Sequence, residues 1–124
     1  MKVIVYGTLK QGYGNHHYLR SATYLGTETL KFNGRMFCVG FPVLMKSRSK
    51  IQVEVEVYKV DAATFAALDR LEGQGHMYMR KRKKLADGSM SYYYQGMNRF
   101  WQARAMGKTV YPQADGVVRW SGRS

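Results

Sequence analysis

Hydrophobic and polar positions alternate or cluster in short runs over most of this chain. Residues 2–6 are a strand candidate whose apolar run, Val3-Ile4-Val5-Tyr6, ends at Gly7, the signature of a strand buried on both faces. Residues 8–15, with Gly12, Gly14 and Asn15, form a polar loop, and His16 to Ala22 is a short helical turn. Val53-Glu54-Val55-Glu56-Val57-Tyr58 alternates strictly, which predicts a strand with one face exposed. Asp61 is a helix N-cap for a segment from about Ala62 to Leu71, stopped near Gly73. Tyr78 to Leu85 alternates again, Ala86-Asp87-Gly88-Ser89 is a hairpin turn, and Met90 to Gln95 is the return strand. Strands outnumber helices, and the one clear helix sits mid-chain. The pattern predicts an α+β fold with a small, largely antiparallel, barrel-like sheet rather than a doubly wound one.

The length, 124 residues, fits a single domain over 1–124, and 45% hydrophobic content is enough for a core without disulfides or metals. A lone cysteine, Cys38, precludes an internal disulfide and suits a reducing, cytoplasmic setting. No apolar run approaches the roughly 18 residues of a membrane span, and the N-terminal segment reads as a strand rather than a signal peptide. Twenty Lys and Arg against eight Asp and Glu leave a net charge of +12. Such a field draws anions but carries no information about fold.

Four places in the chain hold candidate chemistry. Tyr6-Gly7-Thr8-Leu9 ends a strand with residues that let backbone N–H groups face a carboxylate or oxyanion, Gly7 permitting close approach; the competing reading is an ordinary strand-to-loop turn. The glycines do not form a phosphate loop, because Tyr13-Gly14 stands where Lys-Ser/Thr is needed. Glu72 follows Phe65 and Leu68 on one helix face at about 100° per residue. It either turns inward with a raised pKa, as a general base requires, or frays into solvent past Gly73. The histidines, His16, His17 and His76, lack the spacing of a metal site, and Cys38 sits in an apolar stretch as an inert core thiol, so no metal or cofactor is expected. Finally, Arg80-Lys81-Arg82-Lys83-Lys84 faces Tyr92-Tyr93-Tyr94 across the hairpin. This is either a solvated edge or a stacking platform for single-stranded nucleic acid; the alternation of side chains across a strand favours the former.

Taken in order, these segments resemble the gamma-glutamyl cyclotransferase-like family, most closely its gamma-glutamylamine cyclotransferase branch. The resemblance rests on Val3 to Gly12 with Asn15-His16, on Phe41-Pro42-Val43-Leu44, on Val53 to Val60, on Leu68-Asp69-Arg70-Leu71-Glu72-Gly73 with Tyr78 and Arg80, and more loosely on Val118 to Gly122. It implies a small mixed barrel with a side crevice, Glu72 as the catalytic base, and Tyr6, Gly7, Thr8 and Leu9 lining the substrate pocket. It further implies cofactor-independent cleavage of a gamma-glutamyl amide: the glutamyl α-amine attacks its own γ-carbonyl, giving 5-oxoproline and a free amine. The partner implied is a small gamma-glutamyl amine or peptide, with any nucleic-acid contact weak and non-specific. One departure is Val55, where the family commonly has Gly before the glutamate matching Glu56; it would narrow the pocket.

Overall fold

In the computed structural model, which describes residues 1–102, 104 and 108–121, six strands form one sheet. The strands are β1 (Lys2–Val5), β2 (Thr23–Cys38), β3 (Pro42–Lys59), β4 (Tyr78–Lys84), β5 (Met90–Gly96) and β6 (Val117–Val118). A 3-10 turn, His16–Leu19, precedes β2. The helix α1 (Ala62–Glu72) joins β3 to β4, and a single helical turn, α2 (Asn98–Trp101), follows β5. The hydrogen-bonded path runs β2-β3-β1-β5-β4, with β6 beside β3.

The two longest strands make one hairpin, turned by Val39-Gly40-Phe41, and its ladder is interrupted part-way along. Asn33 faces Lys50 but Gly34 faces Lys46, so Ser47, Arg48 and Ser49 bulge from the ladder. The register of β2 follows its alternation, because Leu30, Phe32, Met36 and Cys38 turn inward while Lys31, Asn33 and Arg35 face solvent.

β1 is antiparallel to β3 and parallel to β5, and β3 touches β5 again at Met45–Gly96. These contacts curl the sheet, but β2 and β4, at its ends, share no ladder among the described residues. The expected barrel is therefore a curled open sheet. Side chains bridge its ends instead. Phe32 of β2 meets Tyr93 of β5 edge-on at 5.1 Å, the Lys83 ammonium lies 4.7 Å over the Phe32 ring, and Glu28 accepts from the Ala86 amide at 3.1 Å.

β1 is buried on both faces, as its unbroken apolar run requires. Val3 and Val5 pack into one core with Leu19, Tyr58, Phe65, Leu68 and Trp101 beneath α1. Ile4 and Tyr6 pack into a second with Phe32, Met36, Val53, Val57 and Tyr93, between the curled ends of the sheet. Val55 belongs to this second core and is fully buried. It does not line the crevice described below, so its presence does not narrow the pocket.

Candidate active site

The crevice opens where the chain leaves β1, between the two cores. Its volume is about 210 Å³. Tyr6, Gly7, Thr8, Leu9 and Glu72, separated by more than sixty residues in sequence, all line it.

The loop after β1 is clamped from several sides. The Tyr6 hydroxyl donates to the Tyr94 carbonyl at 2.6 Å and accepts from the Leu44 amide at 3.3 Å. Its burial, then the nearby Tyr78 and Glu72, raise its pKa, so it stays a neutral phenol. Gly7, which lines the crevice, also has a packing task. A Cβ there would lie 2.4 Å from Pro42 Cγ, so the missing side chain lets the chain leaving β1 pass the start of β3. Asn15 holds Thr8 twice, backbone to backbone and Nδ2 to Oγ1, both at 2.9 Å. Leu9 is buried, and its carbonyl meets His16 Nδ1 at 2.9 Å. The amides of Gly7, Thr8 and Leu9 donate to no protein acceptor among the described residues. Three consecutive N–H groups on a rigid loop are suited to an anionic oxygen.

Glu72 owes its position to the end of α1. Asp61 caps the other end, accepting from Thr64 N at 2.7 Å. At the C-terminus Gly73 takes the left-handed conformation at φ 58°. Its amide donates to Arg70 O at 3.2 Å, and the Gln74 amide reaches Asp69 O at 3.0 Å. This pair of reversed bonds is a Schellman motif. Gln74 Oε1 then accepts from the Arg80 amide at 2.6 Å, which ties the helix end to β4. Fraying is thereby prevented. Glu72 is half-buried on the crevice wall, which Leu71 and Tyr78 also line, and burial pushes its carboxyl up to about 7.

Four further residues, Tyr78, Tyr94, Asp69 and Arg80, were not expected as parts of the site. Tyr78 and Tyr94 line the crevice, and burial raises both phenols. The Tyr94 hydroxyl donates to Asp69 Oδ1 at 2.6 Å, and Asp69 Oδ2 pairs with Arg80. The Arg80 guanidinium lies 4.5 Å over the Phe65 ring and 5.6 Å over that of Tyr92. Arg80 thus belongs to a buttress behind the crevice, not to a solvated basic edge. Only their conjunction, Asp69 one helical turn before Gly73 and Arg80 just after Tyr78, hinted at this.

β4 is an end strand of the sheet path, with Arg82 and Lys84 exposed. The tyrosines opposite are not a stacking platform. Tyr93 and Tyr94 are buried in the two cores, and Tyr92 packs against Phe65 at 5.2 Å. The platform reading fails because alternate side chains of β5 are consumed by packing on both faces. His16 and His17 bind backbone carbonyls of their own loop, and His76 stands edge-on to Phe100 at 5.3 Å. Among the described residues no three His, Cys, Asp or Glu side chains cluster as metal ligands. Cys38 is buried. Of the closing segment, Val118 lies in β6, Trp120 is buried, and Gly122 lies outside the described residues.

Comparison with known proteins places this geometry. The profile of the family described as gamma-glutamyl cyclotransferase, AIG2-like, matches residues 3–114. The gamma-glutamylcyclotransferase family protein YtfP of Escherichia coli K12 is 34% identical over 97 residues, which is 77% of this chain and 83% of that protein. An uncharacterised protein from Pyrococcus horikoshii superposes with a TM-score of 0.70 at 26% identity, covering 89% of this chain and 85% of that one. A mouse AIG2-like protein shares the fold at a TM-score of 0.69 and 22% identity, over 99% and 96% of the two chains.

Proposed function

Because this chain belongs to the gamma-glutamyl cyclotransferase, AIG2-like family, we propose that it cleaves a gamma-glutamyl amide by intramolecular cyclisation, releasing 5-oxoproline and a free amine. The observation that carries this reading is one carboxyl, Glu72, lining the same crevice as a loop of unengaged amides.

The chemistry follows from those two features. The substrate α-ammonium has no lone pair and must first lose a proton. Glu72, with burial bringing its pKa to about 7, is ionised often enough near neutrality to take that proton and pass it to water. The neutral amine then attacks the γ-carbonyl carbon and forms the ring C–N bond. The tetrahedral carbon carries its negative charge on oxygen, where the Gly7, Thr8 and Leu9 amides are available as donors. The attacking nitrogen surrenders its surplus proton through Glu72 to the departing nitrogen, and the old C–N bond breaks. The lactam keeps one hydrogen on nitrogen and the amine leaves neutral. Every step is a proton transfer or an addition–elimination, and confining the glutamyl chain in a folded conformation removes much of the entropic barrier.

The test is mass-spectrometric detection of 5-oxoproline from a panel of gamma-glutamyl amides. Glu72→Gln keeps shape and volume but cannot accept a proton, and should lower turnover ~10²–10⁴-fold. Turnover near that of the unaltered protein would remove Glu72 from the mechanism.

A further inference from the structure

The crevice wall beyond Glu72 is built unlike the loop side. Polar donors gather on Thr8 and Asn15 and the adjoining amides. Elsewhere the lining includes Phe41, Pro42, Leu71, Met77 and Trp101, with the rings of Tyr78 and Tyr94. No lysine, arginine or histidine is among the described residues that line the crevice. The aromatic part of this wall is preorganised. Trp101 Nε1 donates to Met77 O at 2.8 Å, and the indole packs against Tyr78 at 5.7 Å. Phe41 stands edge-on to it at 5.5 Å, projecting from the turn between β2 and β3, and remains 36% exposed. A large apolar side chain left at a crevice mouth next to a fixed indole is the arrangement of a ligand subsite.

Proton transfer decides which half of the substrate meets this wall. The departing nitrogen takes its proton from Glu72, and Leu71, Met77 and Trp101 line the same crevice as that carboxyl. Its substituent then extends along Trp101 toward Phe41. From this geometry we infer that the leaving group is an uncharged arylalkyl or alkyl amine rather than an amino acid or peptide; the inference rests on the cyclotransferase reading. A leaving amino acid would bring a carboxylate to a wall without a cation, losing hydration without a partner. A leaving diamine would bring a second ammonium to a wall with no carboxylate besides Glu72 among its described lining residues. The surface cations do not substitute for a local partner, because exposed charges are screened beyond roughly 8–10 Å.

The experiment compares kcat/KM for gamma-glutamyl phenethylamide, methylamide and glycine. The phenethylamide is expected to exceed both others by about tenfold or more, the discrimination an apolar pocket provides. Phe41→Ala should lower the phenethylamide-to-methylamide ratio by about tenfold. A glycine conjugate turned over as well as the phenethylamide would overturn the inference. Calorimetric binding of the same conjugates to Glu72→Gln protein reads the subsite apart from catalysis. If no conjugate yields 5-oxoproline but the phenethylamide binds at least about tenfold tighter, the subsite stands and the cyclotransferase reading fails. Equal affinities would sink the subsite whatever the turnover.

Discussion

Glu72 is a carboxyl whose proton affinity is set by where the chain puts it. Burial against apolar groups disfavours the charged form and raises the pKa from an ordinary 4.5 to about 7. The consequence for stability has a definite sign. Between these two values the unfolded chain has released this proton and the folded chain has kept it. Stability therefore falls as pH rises through this window, and the penalty is complete above pH 7. Glu72→Gln removes the ionisation altogether. Urea unfolding should find the variant more stable than the unaltered protein at pH 8, by about 1–3 kcal/mol after allowing for partial solvation. The difference should shrink toward zero below pH 4.5. A difference of the same size at both pH values would mean that packing, not ionisation, separates the two proteins. Buried Tyr6 and Tyr78 stay protonated throughout this range, so Glu72 dominates the response of the crevice.

At the scale of the element, the C-terminus of α1 is the part on which the site depends. Gly73 at φ 58° reverses the chain, returns two amides to the helix, and delivers Gln74 to β4. An alanine there must adopt a left-handed conformation, and its Cβ would meet Met77 Cε at 2.9 Å, a flexible tip that can move aside. The main cost is therefore conformational, about 1 kcal/mol. Function should suffer more than stability. The Glu72 carboxylate shifts with the cap, and displacement of a catalytic group by about 1 Å can cost ~10²-fold. Gly73→Ala should thus show a modest drop in denaturation midpoint with a large drop in 5-oxoproline formation. Loss of both in proportion, or of neither, would show that the cap does not position Glu72.

For the whole molecule, the net charge of +12 is distributed without regard to the crevice. Ion pairs among the described residues engage only Lys2, Arg80 and Arg119 on the basic side. Arg35, Lys46, Arg48 and Lys50 crowd the bulge within the long hairpin, with Arg82 and Lys84 exposed on β4. This surface should retain duplex DNA weakly at low salt and release it by roughly 150 mM, since each neutralised phosphate returns condensed counterions to solution. Gln at Arg82 and Lys84 should weaken that retention uniformly across sequences and leave turnover of a neutral gamma-glutamyl amide unchanged. Sequence-selective retention at physiological salt would show a dedicated interface instead. Arg80 is unsuitable for such a variant, because its removal would leave Asp69 without its ion-pair partner behind the crevice.

Much of this protein is written in local pattern. The apolar run of β1, the Asp61 cap, the stop at Gly73 and the Ala86–Ser89 turn each have a short-range physical cause, and each stands within a residue or two of its expected place. The inward face of α1 was legible too, since helical periodicity placed Glu72 with Phe65 and Leu68. What periodicity left open was whether the last turn holds, and the Schellman bonds with the Gln74–Arg80 tie decided it. The long β2–β3 hairpin was only partly visible. Its alternation fails in β3, where Lys46 to Lys50 is an unbroken polar run at the register shift, so it reads as fragments. Nothing local shows that Gly7 accommodates Pro42, that Val55 turns away from the crevice, or that Arg80 leaves the basic run to pair with Asp69. Nor does local pattern join Phe41, Met77 and Trp101 into one wall. These are contacts between segments far apart in the chain, and they exist only once the sheet has curled and brought its faces together.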